Sequence, residues 1–230
     1  MKLSVIIPVY NERATIAEIV RRVLAVDLPK ELIIVDDGST DGTRELLRQI
    51  PAEVATVLYH DRNQGKGAAI RTGLEHVTGE MVIIQDADLE CDPNDFPALV
   101  RPIVEGKVQV VYGSRILRRD NPRLYRSFYL GGRLISLIAN LLYGIRITDE
   151  PTCYKLFRRE VIKGLNLQCR GFEFDPEVTA KIARRGIPIY EVPIRYMPRT
   201  IAEGKKMSWK DGLYAVWILV KYRFVTDRDR

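Results

Sequence analysis

Along the first half of the chain, short apolar runs alternate with helix-period segments. "LSVIIPV" (3–9), "ELIIVDD" (31–37), "EVATVLYH" (53–60), "EMVIIQD" (80–86) and "VQVVYGS" (108–114) are rich in Val and Ile and barely alternate with polar residues. Such runs predict strands covered on both faces. Between them, "ERATIAEIVRRVLAV" (12–26), "DGTRELLRQI" (41–50), "GKGAAIRTGLEHV" (65–77) and "PNDFPALVRPIVEG" (93–106) carry helical spacing. Ile16, Ile19, Val20 and Val23 form one stripe of the first helix. Strand–helix alternation predicts an α/β fold, a mostly parallel sheet flanked by helices.

A polar cluster follows every strand: "YNE", "DDGSTD", "HDRNQGKG", "DADLE" and "GSR". Ligands of open α/β sheets bind beyond the carboxyl ends of the strands. The five clusters are therefore expected to meet at one site, although turns are polar on any account. The pattern loosens after residue 115. "RSFYLGGRLISLIANLLYGIRI" (126–147) predicts one or two amphipathic helices, with Leu130, Leu134, Leu137, Ile138, Leu141 and Ile145 as the stripe. A short strand is expected at "TCYKLF" (152–157), a helix at 174–186 begun by Asp175-Pro176, a proline-broken edge strand at 187–196, and a last helix at 208–224. No repeat or linker divides the chain. One domain is expected over 1–230, with a regular half (1–115) and a less regular half (116–230).

Composition narrows the function. The formal net charge of +6 favours an anionic partner. Three cysteines without a C-x-x-C pair imply neither a zinc site nor a disulfide framework, and a reducing compartment fits them best. Two histidines leave little for a His-rich metal site or a Ser-His-Asp triad. No signal peptide is evident, and no apolar run approaches the roughly 20 residues of a membrane span.

The strand end "IIQDADLECD" (83–92) crowds carboxylates that repel one another, so a counter-charge is required. Asp86 and Asp88 have period-two spacing and can converge on a hard divalent cation, leaving coordination positions for phosphate oxygens. Glu90 is a candidate third ligand, whereas Asp92 before Pro93 resembles a helix cap. Asp36 and Asp37 can accept hydrogen bonds from a ribose or a base, or serve a turn; Glu12 has the same two readings. "NQGKGAA" (63–69) matches neither G-K-[ST] nor G-x-G-x-x-G. It suits a glycine-lined approach to phosphate beside Lys66, or a tight helix entry. Arg115 ends a buried strand, and basic residues from Arg118 to Lys206 can close over an anion or remain solvated.

In order and spacing, "VIIPVYNE", "IIVDDGSTDGT", "NQGKGAAIRTG", "IIQDADLECDP", "VVYGSR", "TDEPTCYKLF" and "FEFDPEVTAKIARRG" resemble the family 2 glycosyltransferases with the GT-A fold, over nearly the whole chain. "DADLE", "GSR" and "EGKK" are most similar to the polyprenyl-phosphate hexose synthases. The resemblance implies a nucleoside held by Pro8, Tyr10, Glu12, Asp36 and Asp37, with Lys66 and Ala87 also on the nucleotide. It implies Mg²⁺ or Mn²⁺ on Asp86 and Asp88, with Glu90 assisting. Arg115, Arg133 and Ser136 would meet the acceptor phosphate, and Arg199 and Lys205 would close over the site. Asp175 takes the place of a catalytic base. Two positions depart from that subgroup: Glu90 stands where it reads Gln, and "TCYK" where it reads T-S-G-F.

The function expected is metal-dependent, inverting transfer of a hexose from GDP-mannose or UDP-glucose to a polyprenyl phosphate. The catalytic residues would be Asp86, Asp88, Asp175 and Arg115. An anionic phosphate acceptor needs no strong base, because its second pKa is about 6. A hydroxyl acceptor of a glycan or small molecule, the first alternative, needs one, and Asp175 is the candidate. A nucleotidyltransferase would carry a glycine-rich basic loop where "PVYNE" stands. A non-catalytic binding module is suggested by charge alone. The two amphipathic helices are expected to lie on an anionic membrane from the cytoplasmic side, or else to pack on the sheet. Nucleic acid is not an expected partner.

Overall fold

The computed structural model describes residues 1–122, 125–200 and 209–225. Lys205, expected in the closing loop, lies outside them, as does Lys206. The sheet has seven strands in the order β3–β2–β1–β4–β6–β5–β7. They are β1 (Leu3–Val9), β2 (Lys30–Asp36), β3 (Thr56–Tyr59), β4 (Met81–Ile84), β5 (Val110–Ser114), β6 (Lys155–Arg158) and β7 (Ile189–Pro193). All pairings are parallel except those of β6, which runs against both β4 and β5. The α/β expectation therefore holds, and the second half of the chain inserts β6 into the sheet begun by the first.

Two apolar layers follow from the pleat. Val5 and Ile7 of β1 pack with α1 (Ile16–Ala25) and α4 (Phe96–Val104), whereas Ile6 packs with α3 (Lys66–Glu75) and α7 (Phe174–Arg184). Alternate residues face opposite sides, so a run apolar at every position is buried on both. Full burial of each Val or Ile contributes about 1.5–3 kcal/mol. Short helices α2 (Thr43–Leu47) and α6 (Arg159–Gly164) complete the layers.

Residues 126–147 form one helix, α5 (Arg126–Tyr143), stopped by Gly144 at φ 67°. That left-handed conformation suits a residue without a Cβ. α5 packs with α7 and α8 (Trp209–Phe224) through Ile135, Ala139, Ala180, Ile218, Leu219 and Tyr222. Its leucine stripe points the other way. Leu130, Leu134, Leu137 and Leu141 are exposed, as are Leu213, Trp217, Val220 and Phe224 of α8; Leu141 and Phe224 are each 76% exposed. No helix among the described residues is long and apolar enough to cross a membrane.

One expectation is corrected. Cys91 and Cys153, 62 residues apart, are joined by a disulfide, and Cys169 is free and buried. The link follows the β4–β6 pairing, a long-range contact that cysteine spacing does not encode.

Candidate active site

β1 has β2 on one side and β4 on the other, so the chain changes direction at this point in the sheet. The crevice beyond the carboxyl ends of β1 and β4 is where such folds bind ligands. β4 stops opposite Ile6 of β1, two residues short of Pro8. Pro8, which lacks an N–H, thus needs no donor on that side. Tyr10 and Glu12 follow β1, and Asp86, Ala87, Asp88 and Glu90 follow β4.

The carboxylates at this crevice meet internal cations. Asp86 Oδ1 lies 2.7 Å from Nζ of Lys66, in the first turn of α3. Burial opposes the charge on Lys66, but Asp86 and Asp175 hold its pKa above the usual lysine value. Asp88 Oδ2 accepts from Nη2 of Arg199 at 2.9 Å, and its Oδ1 accepts from the N–H of Glu90 at 3.1 Å. Burial, and then Asp86 and Glu90, push the Asp88 carboxyl up to about 7. Arg199 Nη1 also reaches both oxygens of Glu12, at 3.3 and 3.2 Å.

Glu90 faces residues 196–199. It accepts from the Tyr196 hydroxyl at 3.0 Å on one oxygen and from the Arg199 N–H at 2.8 Å on the other. Its carbonyl accepts from the Met197 N–H at 2.8 Å. The carboxylate that departs from the subgroup pattern thus anchors the strap that carries Arg199. Asp92 caps the turn Pro93–Asp95 by accepting from the Asn94 N–H at 3.0 Å.

The nucleoside candidates divide. Asp37 is buried and accepts from the N–H groups of Gln64 (2.8 Å) and Gly65 (2.7 Å), and it pairs with His60 Nδ1 at 2.7 Å. Asp36 is buried against Arg44 at 2.7 Å. The amides of "NQGKG" therefore serve an internal carboxylate. Gly65 has φ +99°, and a Cβ there would stand 2.4 Å from the Arg170 carbonyl oxygen; one on Gly67 would stand 2.6 Å from that of Cys169. These contacts make the segment a tight helix entry.

After β5, Arg115 is fixed by Asp149. Its backbone N–H, Nε and Nη2 donate to that carboxylate at 2.8, 2.8 and 2.6 Å. Its guanidinium lies 5.0 Å from the centre of the Tyr196 ring. Arg133 is exposed on α5. Ser136 is buried; its hydroxyl donates to the Gly132 carbonyl at 2.8 Å and accepts from the Glu150 N–H at 2.9 Å, so it braces α5 against the site. Asp175 Oδ1 lies 2.7 Å from Nζ of the fully buried Lys155, which also donates to the Thr152 carbonyl at 2.7 Å. Beneath them, burial raises the Glu150 carboxyl to about 7 against the pull of Lys155.

Asp149, Lys155 and Tyr196 were not singled out from the sequence. Lys155 carried a signal: a lysine inside "TCYKLF" is a buried cation that must have a partner.

The family model "Glycosyl transferase family 2" matches residues 4–165. The chain belongs to this family. Among curated relatives, an undecaprenyl-phosphate 4-deoxy-4-formamido-L-arabinose transferase of Edwardsiella ictaluri is 33% identical over 211 residues, covering 88% of this chain and 62% of that protein. The same-named protein of Salmonella paratyphi A is 33% identical over 213 residues, covering 89% and 62%. The chain thus spans about 62% of the length of these relatives. Among solved structures, glucosyl-3-phosphoglycerate synthase from Mycobacterium tuberculosis with Mn²⁺, UDP and glucosyl-3-phosphoglycerate superposes with a TM-score of 0.68 at 22% identity, covering 98% of this chain and 81% of that one. Its UDP complex gives 0.72 at 22% identity. The family 2 chain therefore has the GT-A fold of these structures.

Asp86 and Asp88 fit a divalent cation. They are oxygen donors, they are crowded enough to raise a carboxyl pKa, and each is already matched by a positive side chain. Glu90, the candidate third ligand, has its oxygens engaged by Tyr196 and Arg199. No group of three or more His, Cys, Asp or Glu among the described residues could hold a metal ion, so further ligands would come from the substrate or solvent.

Proposed function

We propose that this family 2 glycosyltransferase moves a hexose from a nucleotide sugar (GDP-mannose or UDP-glucose) to a polyprenyl phosphate, with Mg²⁺ or Mn²⁺ on Asp86 and Asp88. The observation that carries this reading is the end of β4, where Asp86 and Asp88 are balanced by Lys66 and Arg199 and Tyr196 links Glu90 to Arg115. The names of the relatives support the acceptor, because both act on undecaprenyl phosphate.

A divalent cation bound there supplies positive charge for the leaving diphosphate. Lys66 adds charge on the same side, where water is partly excluded and electrostatic stabilisation is strongest. Glu12 and Tyr10 line the nucleoside end. Arg115 and Arg133 draw in the acceptor phosphate, with Asp149 fixing the direction of the Arg115 guanidinium. A phosphate oxygen attacks the anomeric carbon as the bond to the diphosphate breaks, and the leaving group takes the electron pair. One such displacement inverts the configuration, from an α-linked donor to a β-linked product. No proton has to be removed, because the acceptor is already anionic. Asp175 is half of an ion pair with Lys155 and is not needed as a base.

The test is a panel of GDP- and UDP-hexoses with polyprenyl phosphate and Mg²⁺ or Mn²⁺, read by product mass. One donor is expected to give a lipid-linked hexose phosphate; transfer from none refutes the reading.

The acceptor tail would reside in a bilayer, and the outward apolar face of α5 and α8 would meet it from the cytoplasmic side. Residues 126–147 and 209–224 together hold six basic residues and one acidic residue. An apolar face with a basic border suits an anionic membrane surface. The protein is expected to float with liposomes containing anionic lipid at moderate salt, and Leu134→Ser/Leu141→Ser to reduce flotation several-fold. Equal flotation of variant and parent rules this face out.

A further inference from the structure

A cation on Asp88 would compete with a positive side chain already seated there. Oδ1 accepts from the Glu90 amide, and Oδ2 is held by Arg199 at 2.9 Å. Arg199 draws three carboxylates together: Glu12 after β1, and Asp88 and Glu90 after β4. Its fit is incomplete, because Nε is buried without a hydrogen-bond partner, 3.8 Å from the nearest Glu90 oxygen. A buried donor left unmade is a cost that favours release of the side chain.

The backbone beneath Arg199 is anchored independently of its guanidinium. The Arg199 N–H, the Met197 N–H and the Tyr196 hydroxyl all end on Glu90. Tyr196 also covers the Arg115 guanidinium, so this strap borders the donor carboxylates at one end and the acceptor pole at the other. The Arg115 pole thus lies beside the same strap that carries the Arg199 side chain.

We infer that Arg199 is exchanged between two anions. Its guanidinium occupies the donor carboxylates in the free protein, and donor binding displaces it toward the acceptor phosphate. This rests on the proposed donor site at Asp86 and Asp88. The exchange neutralises the crowded carboxylates before substrate arrives, and it couples donor capture to acceptor capture. Glu90 acts here as a positioning residue, holding the strap while the side chain moves.

The experiment titrates Mn²⁺ alone, without nucleotide, into the parent protein, Arg199→Ala, Arg199→Gln and Asp88→Ala, reading free Mn²⁺ by electron paramagnetic resonance. Thermal unfolding checks that each variant is folded. Both Arg199 variants are expected to bind Mn²⁺ about tenfold tighter than the parent, the scale of one close charge pair. In transfer assays, the same variants are expected to raise the acceptor KM and to lower the donor KM. Mn²⁺ affinity equal to or weaker than the parent's, or an unchanged acceptor KM, overturns the exchange. The Asp88→Ala arm separates the two claims. If it abolishes Mn²⁺ binding while the Arg199 variants match the parent, only the exchange fails. If it leaves Mn²⁺ affinity unchanged, the donor-site reading fails and the exchange fails with it.

Discussion

Replacing Asp88 by asparagine is expected to lower kcat/KM for glycosyl transfer by about a thousandfold, the usual scale for removing a charge-stabilising group from a reacting centre. Asparagine keeps the size and one oxygen but cannot supply the negative charge a divalent cation needs. The same substitution is expected to stabilise the free protein in EDTA at pH 8. In the fold, the Asp88 carboxyl is pushed up to about 7, first by burial and then by Asp86 and Glu90. In the unfolded chain it titrates near the ordinary value of about 4. Between these values the native state holds the extra proton, so this group's contribution to stability falls as pH rises through the window. At pH 8 the whole penalty is present, and asparagine removes it. Near pH 5 the native carboxyl is mostly protonated, and the gain should shrink. Thermal midpoints of both proteins at pH 5 and pH 8 check this; a gain of the same size at both pH values contradicts the crowding described. Loss of activity with a gain in stability is the pattern of a site kept at some cost to the fold.

Asp149→Ala is expected to destabilise the protein by about 3–5 kcal/mol, because it strands a largely buried guanidinium. Three donors of Arg115 converge on Asp149, whose side chain is 2% exposed against 23% for Arg115. Denaturant unfolding of Asp149→Ala, Arg115→Met and the double variant measures the coupling. The double variant should recover part of the loss, since no charge is then left without its partner. A cost below about 1 kcal/mol for Asp149→Ala would mark the pair as solvent-screened.

The parallel strands and their helices were legible because one physical rule, burial on both faces, writes itself as unbroken Val/Ile runs. The rim was legible for the same reason: each parallel strand ends where its polar cluster begins, which singled out Glu12, Asp86, Asp88 and Arg115. β6 breaks that rule. It runs antiparallel, so its first residues lie at the rim, and Thr152 and Lys155 stand before or at the start of their strand instead of after its end. Asp37 shows a different limit. "DDGST" does not reveal that one carboxylate turns inward to hold the Gln64 and Gly65 amides. Nor does "DADLE" reveal that Glu90 faces a strap more than a hundred residues away. The leucines of α5 could be assigned to a stripe, but which side of the helix the core would take depended on Ile135 and Ala139 meeting α7 and α8.

The Cys91–Cys153 bond makes part of this molecule a closed ring. Within it lie α4, β5 and α5, and therefore Arg115 and the leucines of the outward face. A peptide bond cleaved inside the ring, for example after the exposed Arg119, opens a circle instead of dividing a line. Both new ends stay covalently tied, one through Cys91 beyond β4 and the other through Cys153 before β6. Nicked protein would travel as one piece until the bond is reduced, and only then separate into two.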